Sequence, residues 1–146
     1  MRRRPCLLAA LCLAALLCGC ARLSPEREQV LSAASAHLGK PYQPGGTGAP
    51  GFDCSGLVAT AYGRVGLTLP RSVAEQATAC APVETHRLRP GDLVFFGRGE
   101  RATHSGIYLG RGRFIHASTS QGVRVSELEA GYWGERFLFG CDCLGD

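Results

Sequence analysis

The apolar residues of this chain change their spacing part-way along, and that change limits the fold more than any other feature. Up to about Ala79 they recur at helical intervals, whereas from Asp92 onward they come in short β-rich runs divided by glycine-containing turns. Residues 25–38 read as a first helix, with Ser24 as N-cap, Pro25 at the first helical position, Glu26 and Glu28 in the first turn and Gly39 past the end. Residues 40–51 are crowded with Gly and Pro, have no apolar period and must be a loop. The loop delivers Phe52, Asp53 and Cys54 into a second helix, in which Leu57, Val58, Ala61 and Tyr62 share one face and which ends near Gly63 or Gly66. Ser72 caps a short third helix running to about Ala79. Strands are expected at residues 92–96, 105–109, 113–116, 123–125 and 136–139. Helices first and strands second indicate an α+β fold, with the helices packed on a C-terminal antiparallel sheet.

The start of the chain reads differently. Met1, Arg2, Arg3 and Arg4 precede an apolar run at residues 6–17 that is too short to span a bilayer and has signal-peptide proportions. It closes on Leu17, Cys18, Gly19 and Cys20, an aliphatic residue, two small ones and a cysteine, which resembles a bacterial lipobox. Residues 1–19 are therefore expected to be removed and Cys20 to carry the lipid anchor; an ordinary cleaved signal with a free Cys20 is the alternative. Residues 20–24 form a tether of about four residues, a reach of roughly 14 Å when extended, so the remaining domain, 25–146, should work close to a membrane surface. That length suits one core and is short for two. The formal charge of +4 falls to +1 once Arg2, Arg3 and Arg4 leave with the signal. The basic excess thus gives no support to a nucleic-acid partner, and Lys40 is the only lysine.

Cysteine usage narrows the chemistry. Cys54, Cys80, Cys141 and Cys143 remain besides Cys20, and an oxidising compartment permits Cys80 to pair with either Cys141 or Cys143. The Cys-x-Cys pair has no second pair at zinc spacing, so no metal site and no cofactor are expected. Cys54 opens a helix, where unpaired N–H groups and the helix dipole favour a thiolate and can receive a developing oxyanion. A neighbouring imidazole would supply its base. His104 and His116 lie on consecutive strands joined through Gly110 and Gly112, so a hairpin can set them side by side, His104 as base and His116 as the group that orients it. His37 and His86 fit neither place.

Six segments in order carry a resemblance: GKPYQPGG at 39–46, FDCSGLV at 52–58, LPRSVAEQ at 69–76, RPGDLVFF at 89–96, HSGIYLG at 104–110 and FIHAS at 114–118. Together they resemble the NlpC-type cell-wall endopeptidases, which are papain-like cysteine peptidases, closest to the envelope lipoprotein members. The resemblance implies a papain-like α+β fold with Cys54 as nucleophile, His104 as base and His116 as its orienting partner. Tyr42 matches a tyrosine beside the nucleophile that helps hold the oxyanion, or is simply a half-buried loop aromatic. Asp53 and Ser55 match positions lining the groove for the stem peptide, although Asp53 would also favour the helix N-terminus electrostatically. Arg71 suits a stem-peptide carboxylate or a surface salt bridge. Ser105 stands where many relatives have Val, and its side chain should point away from His104. Trp133, in a GYWG stretch, is either a groove wall or a packed loop residue.

The implied substrate is peptidoglycan stem peptide, cut at diaminopimelate-to-D-Ala cross-links on the strength of FIHASTSQGV at 114–123. Cleavage between D-Glu and diaminopimelate, or a non-catalytic wall-binding lipoprotein, are the rival readings. By resemblance to Gram-negative lipoproteins, where Asp in that place retains the protein in the inner membrane, Ala21 after the lipidated cysteine suggests the outer membrane, facing the periplasm. A monomer is expected, with an envelope adaptor or regulatory protease as the partners left open.

Overall fold

Two short polar side chains decide where the first helices begin. In the computed structural model, which describes residues 22–146, Ser24 accepts the Arg27 amide and starts α1, Pro25–Ser35. Asp53 accepts the Gly56 amide at 2.7 Å and starts α2, Cys54–Gly63, so Cys54 is the first helical residue. A reciprocal Ser72–Glu75 capping box starts α3, Val73–Gln76. The expected signal peptide, the Cys20 attachment site and Ala21 lie outside the described residues.

The strands are β1, Ala81–Val83; β2, Leu93–Arg98; β3, Arg101–Gly110; β4, Arg113–Ser118; β5, Gly122–Glu127; and β6, Phe137–Asp142. They form one sheet in the order β1-β6-β2-β3-β4-β5, every pairing antiparallel. A single helical turn, α4 at Gly131–Gly134, links β5 to β6. The expected α+β architecture and all five expected strands are present. α1 ends before residue 38 because residues 36–39 relax into turns, and α3 stops at Gln76 because bonds from Thr78 to Glu75 and Ala79 to Gln76 tighten its end. β1 and a 3-10 turn at Thr85–Arg87 were not expected. Only three residues long, with a proline and no burial alternation, β1 becomes a strand by pairing with β6 at a sheet edge.

Alternation along the strands sorts the core into two layers. Val30, Leu57, Val58, Phe95, Ile107, Ile115 and Ala117 fill the layer between helices and sheet. Val94, Phe96, Phe114 and Leu128 fill the other face, with Trp133 and Phe137 against them. Each fully buried side chain of this size contributes roughly 1.5–3 kcal/mol.

Three tertiary ties hold the layers in register. The Arg27 guanidinium, 1 % exposed, binds Asp92 at 2.8 Å, Asp142 at 2.9 Å, Asp146 at 2.7 Å and the Pro90 carbonyl at 3.0 Å, joining α1 to the end of the sheet where β2 begins and β6 stops. Tyr62 on α2 donates its hydroxyl to the Gly91 carbonyl. Cys80 is joined to Cys141 by a disulfide, leaving Cys54 and Cys143 as thiols. Of the two pairings the sequence allowed for Cys80, the fold makes the one with Cys141.

Candidate active site

Cys54 is 9 % exposed, at the end of α2 that meets the sheet. The loop before it is held tightly. Asp53 N–H donates to the Gly46 carbonyl, and a Cβ on Gly56 would collide with that same oxygen. Glycine at position 56 is therefore required for the loop to cross the helix at this point.

Around the thiol lie Tyr42, Asp53, Ser55, Arg71 and Ser105. Burial pushes the Cys54 thiol up; the Ser105 amide and hydroxyl and the Ser55 amide pull it back, while Asp53 adds to the rise. The net shift is upward. The amides directed at the sulfur favour the thiolate, as expected of the start of a helix, and desolvation at this depth pushes further the other way.

Asp53, Ser55 and Arg71 do come together, bonded to one another. Arg71 forks onto both Asp53 oxygens at 3.0 and 2.6 Å and donates to Ser55 Oγ at 2.9 Å. Asp53 also accepts from Gly45 and Gly56, so its carboxyl lies below the usual range; burial opposes this but the Arg71 and amide bonds prevail. Of the two readings for Arg71, the salt bridge is the one seen. The Tyr42 hydroxyl is pushed up by burial and by the charges that Cys54 and Asp53 would carry, against a smaller opposing effect of Arg71.

Ser105 does point away from His104, and that direction takes it to the helix side. It is fully buried and donates to Gln76 Oε1 at 3.4 Å. Gln76 in turn donates to the Ser55 and Pro70 carbonyls, so one buried amide ties α3, the residue after Cys54 and β3 together. The sequence offered no signal for this role of Gln76.

His104 and His116 are brought together as the hairpin reading required, His104 Nε2 to His116 Nδ1 at 2.9 Å. His116 Nε2 lies 3.0 Å from Ser126 Oγ on β5, a member the sequence reading missed. Two neutral rings with one proton each satisfy this chain. With protons on both Nε2 atoms, His104 donates to His116, His116 donates to Ser126, and His104 Nδ1 is left as a free acceptor. Burial keeps both rings neutral: it lowers His104 to about 4 and His116 to about 3, the latter helped by His104 and Arg124. Trp133 stacks on His104 with centroids at 4.7 Å and meets His116 edge-on at 4.7 Å, so the residue left open by sequence both packs and walls the site. Gly106, between His104 and Tyr108, has no room for a Cβ, which would lie 2.8 Å from the Phe114 ring and 3.2 Å from His116 Cβ. His37 instead packs on Phe52 and His86 is exposed, in keeping with their exclusion.

A cavity of about 730 Å³ opens at the two imidazoles and is lined in part by Thr103, Ser118, Thr119, Arg124 and Trp133. The cavity lining includes both imidazoles but not Cys54, and the thiol meets β3 at Ser105, the residue that follows His104.

The family model described as NlpC/P60 family matches residues 39–141. Escherichia coli K12 murein DD-endopeptidase MepS/murein LD-carboxypeptidase is 44 % identical over 97 residues, covering 66 % of this chain and 52 % of that protein. Bacillus subtilis bifunctional muramidase/DL-endopeptidase CwlT is 41 % identical over 115 residues, 76 % of this chain and 35 % of its own length. The matched stretch thus spans about half or less of these relatives. A crystal structure of an NlpC/P60 family protein from Bacillus cereus superposes with a TM-score of 0.77 at 30 % identity, over 81 % of this chain and 40 % of that one. The matching papain-like frame agrees with the expected fold class.

Proposed function

This chain belongs to the NlpC/P60 family, and on that premise we propose that it is a cysteine-type endopeptidase of bacterial cell-wall peptidoglycan. The observation that carries the reading is the ordered set Cys54, His104, His116 and Ser126, with the nucleophile heading a helix and the base backed by a neutral hydrogen-bonded chain. Because the thiol is raised and the imidazole lowered, the resting pair is neutral. Proton transfer from Cys54 to His104 Nδ1 then accompanies attack of Sγ on the stem-peptide carbonyl. Backbone N–H at the start of α2 and the Tyr42 hydroxyl receive the oxyanion. His104, held by His116, gives its proton to the departing amine as the tetrahedral intermediate collapses, and then activates the water that releases the thioester.

The bond favoured is the diaminopimelate-to-D-Ala cross-link, on the likeness of residues 114–123 to the envelope lipoproteins; the relatives named DD- and DL-endopeptidase keep the D-Glu-to-diaminopimelate bond as the second reading. Asp53, Ser55 and Arg71 form the rim on the acyl side, where their mutual bonds hold a shaped edge for the stem peptide. We place the enzyme at the outer membrane, anchored through Cys20 and acting as a monomer near that surface.

The test is digestion of purified peptidoglycan by the full-length protein beside Cys54→Ala, with fragments identified by mass. Dimers converted to monomers by wild type alone support cross-link cleavage, and shortened stems shift the assignment to the D-Glu bond. Absence of any Cys54-dependent fragment would sink the hydrolase reading.

A further inference from the structure

The cavity beside His104 carries four arginines, Arg98, Arg101, Arg124 and Arg136, and none of the chain's carboxylates lines it. Arg136 is engaged, its guanidinium lying over the Tyr132 ring at 3.7 Å and 3.4 Å from Glu135. Arg98, Arg101 and Arg124 take part in no ion pair among the described residues, whereas Arg27, Arg71 and Arg89 all do. Three guanidinium groups without a carboxylate partner around one concavity give it a positive field that favours an anion. Arg124 is the nearest to the chemistry, because in the β4–β5 register it stands directly opposite His116. Hydroxyls of Ser118, Thr119 and Ser120 add neutral donors on the same wall.

The position of this wall says which half of a substrate meets it. In acyl transfer the acyl half stays on the sulfur, and the amine departs toward the base that protonates it. The cavity opens at His104, the base of the proposed mechanism, and Cys54 is not among its lining residues, so it is assigned the leaving half. An amine released from a peptide sits on a carbon that also bears a carboxyl group. In a diaminopimelate-to-D-Ala cross-link that carboxyl is free.

Resting on the endopeptidase reading, we propose that Arg124, with Arg101 and Arg98 beside it, binds the free carboxylate next to the departing amine and selects substrates whose leaving half carries one. A guanidinium fork suits a carboxylate by two parallel N–H···O bonds. The group held this way fixes the amine nitrogen relative to His104, which makes these arginines specificity residues and leaves the reacting atoms to Cys54 and His104.

Trp133, the only tryptophan in the chain, lines this cavity and reports its occupancy without turnover. The experiment titrates the full-length Cys54→Ala protein with a diaminopimelate stem tripeptide, and with the same peptide amidated at the carboxyl beside its side-chain amine, following Trp133 fluorescence. The free acid is expected to bind about tenfold or more tightly than the amide. Arg124→Gln should bring the two affinities together, Arg124→Lys should keep part of the gap, and Arg101→Gln should narrow it. Equal affinities for acid and amide, or a gap that survives both glutamine variants, would overturn the proposal. The two readings fail separately. Cys54-dependent wall cleavage with equal acid and amide binding removes the arginine role alone, and a persisting acid preference without cleavage removes the endopeptidase reading while the carboxylate site stands.

Discussion

His116 is completely buried yet polar on both sides, bonded to His104 through one ring nitrogen and to Ser126 through the other. Its bond to His104 Nε2 leaves Nδ1 of that ring for another partner, the orientation the proposed mechanism requires. Replacing it by Ala should lower kcat/KM for wall-peptide cleavage by about 10²-fold or more, and by Asn, which can still accept from His104, by less. Steady-state kinetics on a defined cross-linked muropeptide reads this. Equal activity of His116→Ala and wild type would remove the orienting role. Ser105 acts on the other partner. Its hydroxyl and amide hold the Cys54 thiol lower than burial alone would leave it. Ser105→Ala is therefore expected to raise that thiol further and slow alkylation of Cys54 at pH 8 by a few-fold, followed by peptide mass mapping so that Cys143, pushed up to about 12, is scored apart.

At the scale of elements, α1 contributes no residue to the chemistry but sets the frame on which α2 and the sheet meet. Arg27 carries that contact through three carboxylates, of which Asp92 is 1 % exposed. Arg27→Ala leaves a buried carboxylate without its partner and should cost about 3–5 kcal/mol of stability, measured by urea unfolding. A loss below about 1 kcal/mol would mean that the cluster relaxes into solvent. β3 and β4 approach closely because Gly106 leaves its place to the Phe114 ring. Gly106→Ala should push Phe114 and His116 aside and reduce activity more than it reduces folding, a difference visible by comparing kcat/KM with the unfolding midpoint.

The whole molecule couples its stability to the site. Both imidazoles have folded pKa values depressed to about 4 and about 3 from an ordinary 6.5. The unfolded chain therefore takes up protons first as the pH drops, so their contribution is complete above about pH 6.5 and is lost progressively toward pH 4 and below. The urea midpoint should fall between pH 7.5 and 4.5 by the equivalent of about 2–5 kcal/mol, and His116→Gln should flatten that fall. A midpoint independent of pH over this range would contradict the buried neutral pair. The Cys80–Cys141 disulfide spans a sequence separation of 61 and ties the end of α3 to β6. Its removal by paired Ser substitution should cost about 2–4 kcal/mol.

The sequence by itself determined the order of helices and strands, the caps at Ser24 and Ser72, the cysteine heading α2 and the histidines of the β3–β4 hairpin. Each of these is a matter of local period, capping chemistry or short-range register, which a chain carries within a few neighbouring residues. Only the tertiary structure decided the partner of Cys80, the burial that raises the Cys54 thiol, the place of Ser126 behind His116, the Gln76 link to Ser105 and the gathering of Arg98, Arg101 and Arg124 on one wall. These depend on side chains far apart in the chain meeting across strands β3, β4 and β5, and on desolvation set by everything packed around them; neither quantity is written in the spacing of residues along the sequence.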